Sequence, residues 1–95
     1  MMHLRYSPSA ALDLEAIYAT IAADNQPAAQ RVVARVRHII ALLAEHPGMG
    51  LPSELADVYK LVVPGLPYKI VYEPDDIAGE LVVLRVLHTS RSLPH

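Results

Sequence analysis

The chain of 95 residues has no cysteine. That excludes a disulfide framework, a thiolate metal site and a thiol nucleophile, and it makes a reducing cytoplasm the expected compartment. No run approaches the roughly 18 apolar residues of a membrane span, and Met1-Met2-His3-Leu4-Arg5-Tyr6 offers no apolar core of an export signal, so a soluble, non-exported protein is expected. Positive charge is also in short supply. Eight Lys plus Arg stand against ten Asp plus Glu, a formal charge of −2, which argues against a non-specific nucleic-acid binder that works by neutralising phosphates. Any nucleic-acid role has to come from a local patch. No repeat, low-complexity tract or linker breaks the chain, so residues 1–95 read as one domain, its 53% hydrophobic content sufficient for one core with little margin.

Residues 3–6 read as a short strand, and Ser7-Pro8 then supplies an N-cap and a proline at the first helical position. Leu14, Ile17, Tyr18 and Ile21 form an apolar stripe at helical spacing, broken at Asp24-Asn25-Gln26-Pro27. A second helix begins near Pro27, capped by Asn25 or Gln26. It carries Ala29, Val32, Val33, Val36, Ile39, Ile40 and Leu43, and ends at His46-Pro47-Gly48. The short connection predicts an antiparallel helical hairpin. A loop from Met49 to Ala56 precedes three strands at about 57–63, 67–73 and 80–87. Tight connections at Pro64-Gly65-Leu66 and at Pro74 through Gly79 make them an antiparallel meander. The expected fold class is α+β, with the hairpin packed on one face of a small, mainly antiparallel sheet.

Strict alternation puts Tyr68, Ile70 and Tyr72 on one face of the middle strand and Lys69, Val71 and Glu73 on the other. In the last strand it separates Val82, Leu84 and Val86 from Leu81, Val83, Arg85 and Leu87. Helices can cover only one face. Val71, Leu81, Val83 and Leu87 are therefore expected to form an exposed apolar patch that a partner segment covers. The charged interruptions of these strands, Lys69, Arg85, His88 and Arg91, are almost all cationic or imidazole.

The order strand, helix, helix, three strands resembles the ParE/RelE toxin superfamily. The resemblance is carried by Tyr6-Ser7-Pro8-Ser9-Ala10 with Asp13-Leu14 and Ile17-Tyr18, by His46-Pro47-Gly48-Met49-Gly50-Leu51-Pro52, by Pro67-Tyr68-Lys69-Ile70-Val71-Tyr72 and by Val86-Leu87-His88-Thr89-Ser90-Arg91-Ser92-Leu93-Pro94. The closing His-x-x-Arg before a proline is closer to the ParE branch. The resemblance implies the toxin of a type II toxin–antitoxin pair, cytoplasmic, neutralised by a cognate antitoxin in a hetero-oligomer. In the ParE branch the target is DNA gyrase; in the RelE branch the toxin is a ribosome-dependent mRNA endoribonuclease. A degenerate toxin that keeps only antitoxin binding is a third reading. Leu51 and Tyr59 lie where relatives often carry arginines, and Lys69 keeps the charge of a usual arginine without its bidentate fork.

These assignments give Lys69, Arg85 and Arg91 as target or phosphate contacts, and Val71, Leu81, Val83 and Leu87 as the antitoxin-binding face. His88 is the acid/base only in the nuclease reading. Otherwise it is a structural histidine at a strand end. Arg31, Arg35 and His38 form a solvated helix stripe, and Tyr6, Tyr18, Tyr68 and Tyr72 are core aromatics rather than a base-stacking platform. His3, His46 and His95 show no ligand spacing, so neither a metal nor another cofactor is expected.

Overall fold

A computed structural model describes residues 1–91. Strand β1 (His3–Tyr6) leads into helices α1 (Pro8–Ala22) and α2 (Gln26–Glu45). A single 3-10 turn (Pro47–Met49) and a short strand β2 (Leu51–Pro52) follow, then β3 (Tyr59–Val62), β4 (Tyr68–Asp75) and β5 (Glu80–His88). The sheet order is β1-β5-β4-β3-β2, with β1 parallel to β5 and every other pair antiparallel. The helical hairpin is the crossover that parallel pairing of β1 with a later strand requires. The fold is the expected α+β arrangement, with one added element. β2 lies inside the stretch read as loop, where Leu51 and Pro52 pair with Lys60 and Tyr59.

Local chemistry sets the element ends. Ser7 caps α1 by accepting the Ala10 N–H at 3.0 Å, and Asn25 caps α2 by accepting the Ala28 N–H at 3.0 Å. Each cap satisfies a donor the first turn leaves over and stabilises its helix by about 1 kcal/mol. Proline follows both caps, within the first two helical positions. The β3–β4 turn uses Gly65 at φ +80° and the β4–β5 turn Gly79 at φ +69°, conformations that cost glycine little.

Leu14 and Ala10 of α1 and Val36, Ile39, Ile40 and Leu43 of α2 pack on Ile70, Tyr72, Leu81, Val83 and Val86 of the sheet. Burial of each large apolar side chain here stabilises the fold by roughly 1.5–3 kcal/mol. The stripe Arg31, Arg35 and His38 faces solvent.

The face assignment of β5 differs from strict alternation, and a β-bulge is the reason. Val71 pairs with Arg85 while Tyr72 pairs with Val83, so Leu84 is an extra residue. An extra residue shifts the phase of everything beyond it. Leu81 and Val83 before the bulge and Val86 after it all join the helix-side core. Leu81 and Val83 are fully buried there, not on the second face as alternation predicts. Val71 and Leu87 do lie on the second face, but they are only 1% and 5% exposed, because Val58 from the preceding loop and half-buried Leu84 pack on them. The expected open patch of Val71, Leu81, Val83 and Leu87 therefore does not exist: two members are core, and two are covered by the chain's own loop.

Candidate functional site

β1 ends at Tyr6, opposite Val83, while β5 continues to His88. The β5 edge beyond Val83 is left without a strand, and α1 supplies polar groups in its place. The Ser7 N–H donates to the Val83 carbonyl at 2.9 Å and the Ser7 hydroxyl to the Leu84 carbonyl at 2.8 Å. Nearly two turns further along α1, Asp13 Oδ2 accepts the Val86 N–H at 2.9 Å. Ser7 and Asp13 thus satisfy groups that a longer β1 would have paired, across the bulge at Leu84.

Asp13 does more than close an edge. Arg85 Nε donates to Oδ2 at 2.7 Å and Nη2 to Oδ1 at 3.0 Å, a two-point grip. Burial of the carboxyl would by itself raise its pKa, but the Arg85 and Val86 hydrogen bonds and the positive charges of Arg85 and Arg91 outweigh it and hold Asp13 below the usual carboxylate range. The same hydrogen bond raises the Arg85 pKa further, against a smaller opposing effect of burial.

Between α1 and the end of β5 lies a groove of about 250 Å³. Asp13 and Thr20 line it from the helix, and Arg85, His88, Tyr68 and Arg91 from the sheet side. Lys69, across the ladder, donates its ammonium to the Arg91 carbonyl. The four residues singled out by charge, Lys69, Arg85, His88 and Arg91, therefore gather at one end of the sheet. They are not equivalent. Arg85 is closed on Asp13, Lys69 holds backbone, and the exposed Arg91 guanidinium forms no ion pair among the described residues.

His88 is exposed and stands edge-on to Tyr68, ring centroids 5.8 Å apart. Its Nδ1 accepts the Ser90 N–H at 3.2 Å and lies 2.8 Å from the Ser90 hydroxyl. An N–H donor on Nδ1 requires the tautomer with its proton on Nε2. Among the described residues, no group of three or more His, Asp or Glu side chains is arranged to hold a metal ion. The part of the closing motif at Ser92, Leu93 and Pro94, and His95, lie outside the described residues.

Sequence reasoning named Asp13 within the stretch that carries the family resemblance and missed its role. The signal was available: Arg85 is a charge inside a strand apolar on both faces, and such a charge needs a counter-ion. Asp13 is the acidic residue in the resembling stretch Asp13-Leu14 through Tyr18.

A second, more apolar groove of about 490 Å³ lies between the two helices and β1, lined by Tyr6, Leu14, Tyr18, Val33 and Arg37. Arg37 stacks over the Tyr6 ring at 5.5 Å. Beside it the outer edge of β1 carries no strand among the described residues.

Residues 4–93 match the family described as ParE toxin of type II toxin-antitoxin system, parDE. A curated protein of Sinorhizobium fredii (strain NBRC 101917 / NGR234) named "Putative toxin Y4kP" is 34% identical over 91 residues, covering 96% of this chain and 92% of its own. Among solved structures, the chromosomal ParDE system of P. aeruginosa superposes with a TM-score of 0.81 at 27% identity, covering 93% of this chain and 96% of that one. The intact E. coli RelBE toxin–antitoxin complex superposes with a TM-score of 0.72 at 17% identity, covering 96% and 100%, a likeness of fold.

Proposed function

We propose, on the premise that this chain belongs to the ParE toxin family of type II toxin–antitoxin systems, that it acts in the cytoplasm by binding DNA gyrase and stalling it on cleaved DNA, without chemistry of its own. The observation that carries the reading is the end of β5. Arg91 presents a cation without an ion pair among the described residues at a small groove, with Lys69 fixed beside it by the Arg91 carbonyl. A charged side chain placed after the last strand, where packing makes no demand on it, suits contact with a partner. Arg85, its fork already filled, forms the wall of that site.

The antitoxin takes a different surface in this reading. The apolar groove of Tyr6, Leu14, Tyr18 and Val33 adjoins the open edge of β1, and together they suit an antitoxin segment that buries side chains in the one and adds backbone hydrogen bonds to the other. This replaces the face built on Val71, Leu81, Val83 and Leu87.

Purified toxin in a supercoiling assay tests the target. Inhibition that disappears in Arg91→Ala is the expected result; full inhibition by that variant removes Arg91 from the site. A second reading, mRNA cleavage on the ribosome, is favoured by one observation: His88 lines the same groove as Arg91, as an acid/base beside a phosphate contact would. Codon-linked cleavage in a translation assay, lost in His88→Ala, would establish it instead.

A further inference from the structure

We infer that Asp13 sets the specificity of the β5 groove: with its carboxylate closed on the Arg85 fork it withholds that cation from phosphate, so the groove selects a protein surface over a nucleic acid. The inference rests on reading this groove as the target contact, and it adds the residue that decides what class of target can bind.

An arginine grips phosphate through the same paired N–H geometry that it offers a carboxylate. In this chain the Nε–Nη2 edge is taken, at 2.7 and 3.0 Å, by the two oxygens of one side chain, whose charge also neutralises the guanidinium for an anion approaching the remaining Nη1 donors. A phosphate would have to displace a carboxylate that also holds the Val86 N–H and whose side chain is only 16% exposed. Displacement would strand a half-buried anion and unpair a strand-edge donor, a cost that contact with a single phosphate does not offset. Against the effect of burial, the Arg85 and Val86 hydrogen bonds hold the Asp13 carboxyl below the usual carboxylate range, so it stays ionised at neutral pH.

The surroundings show what Asp13 holds back. Arg85, His88 and Arg91 line the groove and Lys69 adjoins it through the Arg91 carbonyl, a constellation able to hold a phosphodiester if all its cations were available. Asp13 cancels one of the three positive charges, and it removes the only one set in a rigid two-point geometry. What is left, an exposed arginine and a backbone-bound lysine beside an anion, suits a mixed-charge protein surface. Asn at this position keeps an oxygen for the Val86 N–H while its amide N–H groups turn the Arg85 fork away, so the fold survives and the cation is released.

The test uses a labelled single-stranded RNA of about 20 nucleotides, titrated at several salt concentrations. Asp13→Asn is expected to bind it about tenfold more tightly than wild type at low salt, with a log–log salt slope steeper by about 0.7, one more phosphate neutralised. Adding Arg85→Gln to that variant returns both to wild-type values. A folded Asp13→Asn protein with unchanged affinity and slope overturns the assignment, as does a gain that persists in the double variant. If Asp13→Asn does not fold, Arg85→Lys, which keeps a cation for Asp13 but loses the fork, decides. With Asp13 in place it changes RNA affinity by less than about twofold, whereas a loss of about fivefold or more shows that Arg85 already grips phosphate and overturns the inference. Supercoiling is measured on the same wild-type sample, and a failure there removes the gyrase reading separately from the RNA comparison.

Discussion

Tyr72 and Asp13 are each held by backbone groups that the secondary structure leaves over, yet one anchor is sealed inside the molecule and the other lines a groove open to solvent. The Tyr72 hydroxyl donates to the Pro47 carbonyl at 2.7 Å and accepts the Gly50 N–H at 3.0 Å, which fixes the turn after α2 against the middle of the sheet. The side chain is fully buried, and its ring stacks with that of Tyr59 at 6.0 Å. Asp13 binds one backbone N–H and one arginine in a groove open to solvent. Hydrogen bonds around Tyr72 hold a layer in place, and disturbing them should cost stability first. Those around Asp13 arrange charge, and disturbing them should change binding more than folding.

The sharpest way to break this contrast is at Tyr72. Tyr72→Ala is expected to destabilise the protein by about 3–5 kcal/mol through the cavity and the two orphaned backbone groups, measured by denaturant unfolding. A loss under about 1 kcal/mol would show that the clasp is dispensable. Gly50→Ala attacks the same clasp from the other side. A Cβ there would lie 2.4 Å from the Tyr72 hydroxyl and 2.9 Å from the Lys60 carbonyl oxygen, and the second of these is backbone that cannot swing aside. The expected loss is about 2–3 kcal/mol, with the Gly50–Tyr72 hydrogen bond broken. Close approach, not turn geometry, is what requires glycine at this position, whose φ is −81°.

Asp13→Asn probes the open anchor and should cost only about 1–2 kcal/mol, because the Val86 N–H keeps an acceptor while the ion pair is lost. Its clearer mark is on pH dependence. Asp13 has a folded-state pKa below its unfolded value, so it contributes stability that is fully present above the unfolded carboxylate pKa and lost as pH falls through the folded one. Wild-type melting temperature should therefore fall on acidification more steeply than that of the asparagine variant. Parallel acid limbs for the two proteins would remove Asp13 from the pH response.

How far the sequence carried this picture depended on whether a signal was local. The two helices with their caps at Ser7 and Asn25, and the meander of β3, β4 and β5, follow from spacing and turn residues, and all are present. The faces of β5 were not legible, since the bulge at Leu84 depends on pairing with β4 and leaves no mark on a strand apolar at nearly every position. That one shift moved Leu81 and Val83 from the supposed surface into the core. The cover over Val71 was hidden for a related reason: Val58 sits in a stretch read as the start of β3, but Asp57 adopts φ +63° and turns the chain onto the second face instead. The cationic cluster was legible because charges are costly in strands, but its counter-ion Asp13 lies 72 residues from Arg85, beyond any local pattern.

Arg91→Ala should have the smallest effect on the fold and still separate the two regions most cleanly. The structural bonds of Arg91 are made by its backbone: its N–H donates to the His88 carbonyl at 2.9 Å, and its own carbonyl accepts from the Lys69 ammonium. Alanine keeps both and deletes only the exposed guanidinium, so stability should change by less than about 0.5 kcal/mol. Its charge also reaches Asp13, whose carboxylate it helps keep ionised. Growth arrest on expression, measured beside a thermal melt of the same variant, should nevertheless be lost. A variant that melts like wild type and no longer arrests growth places function in the groove and stability in the clasp. One that melts like wild type and still arrests growth would move the working edge elsewhere, first to the open strand β1 and the apolar groove beside it.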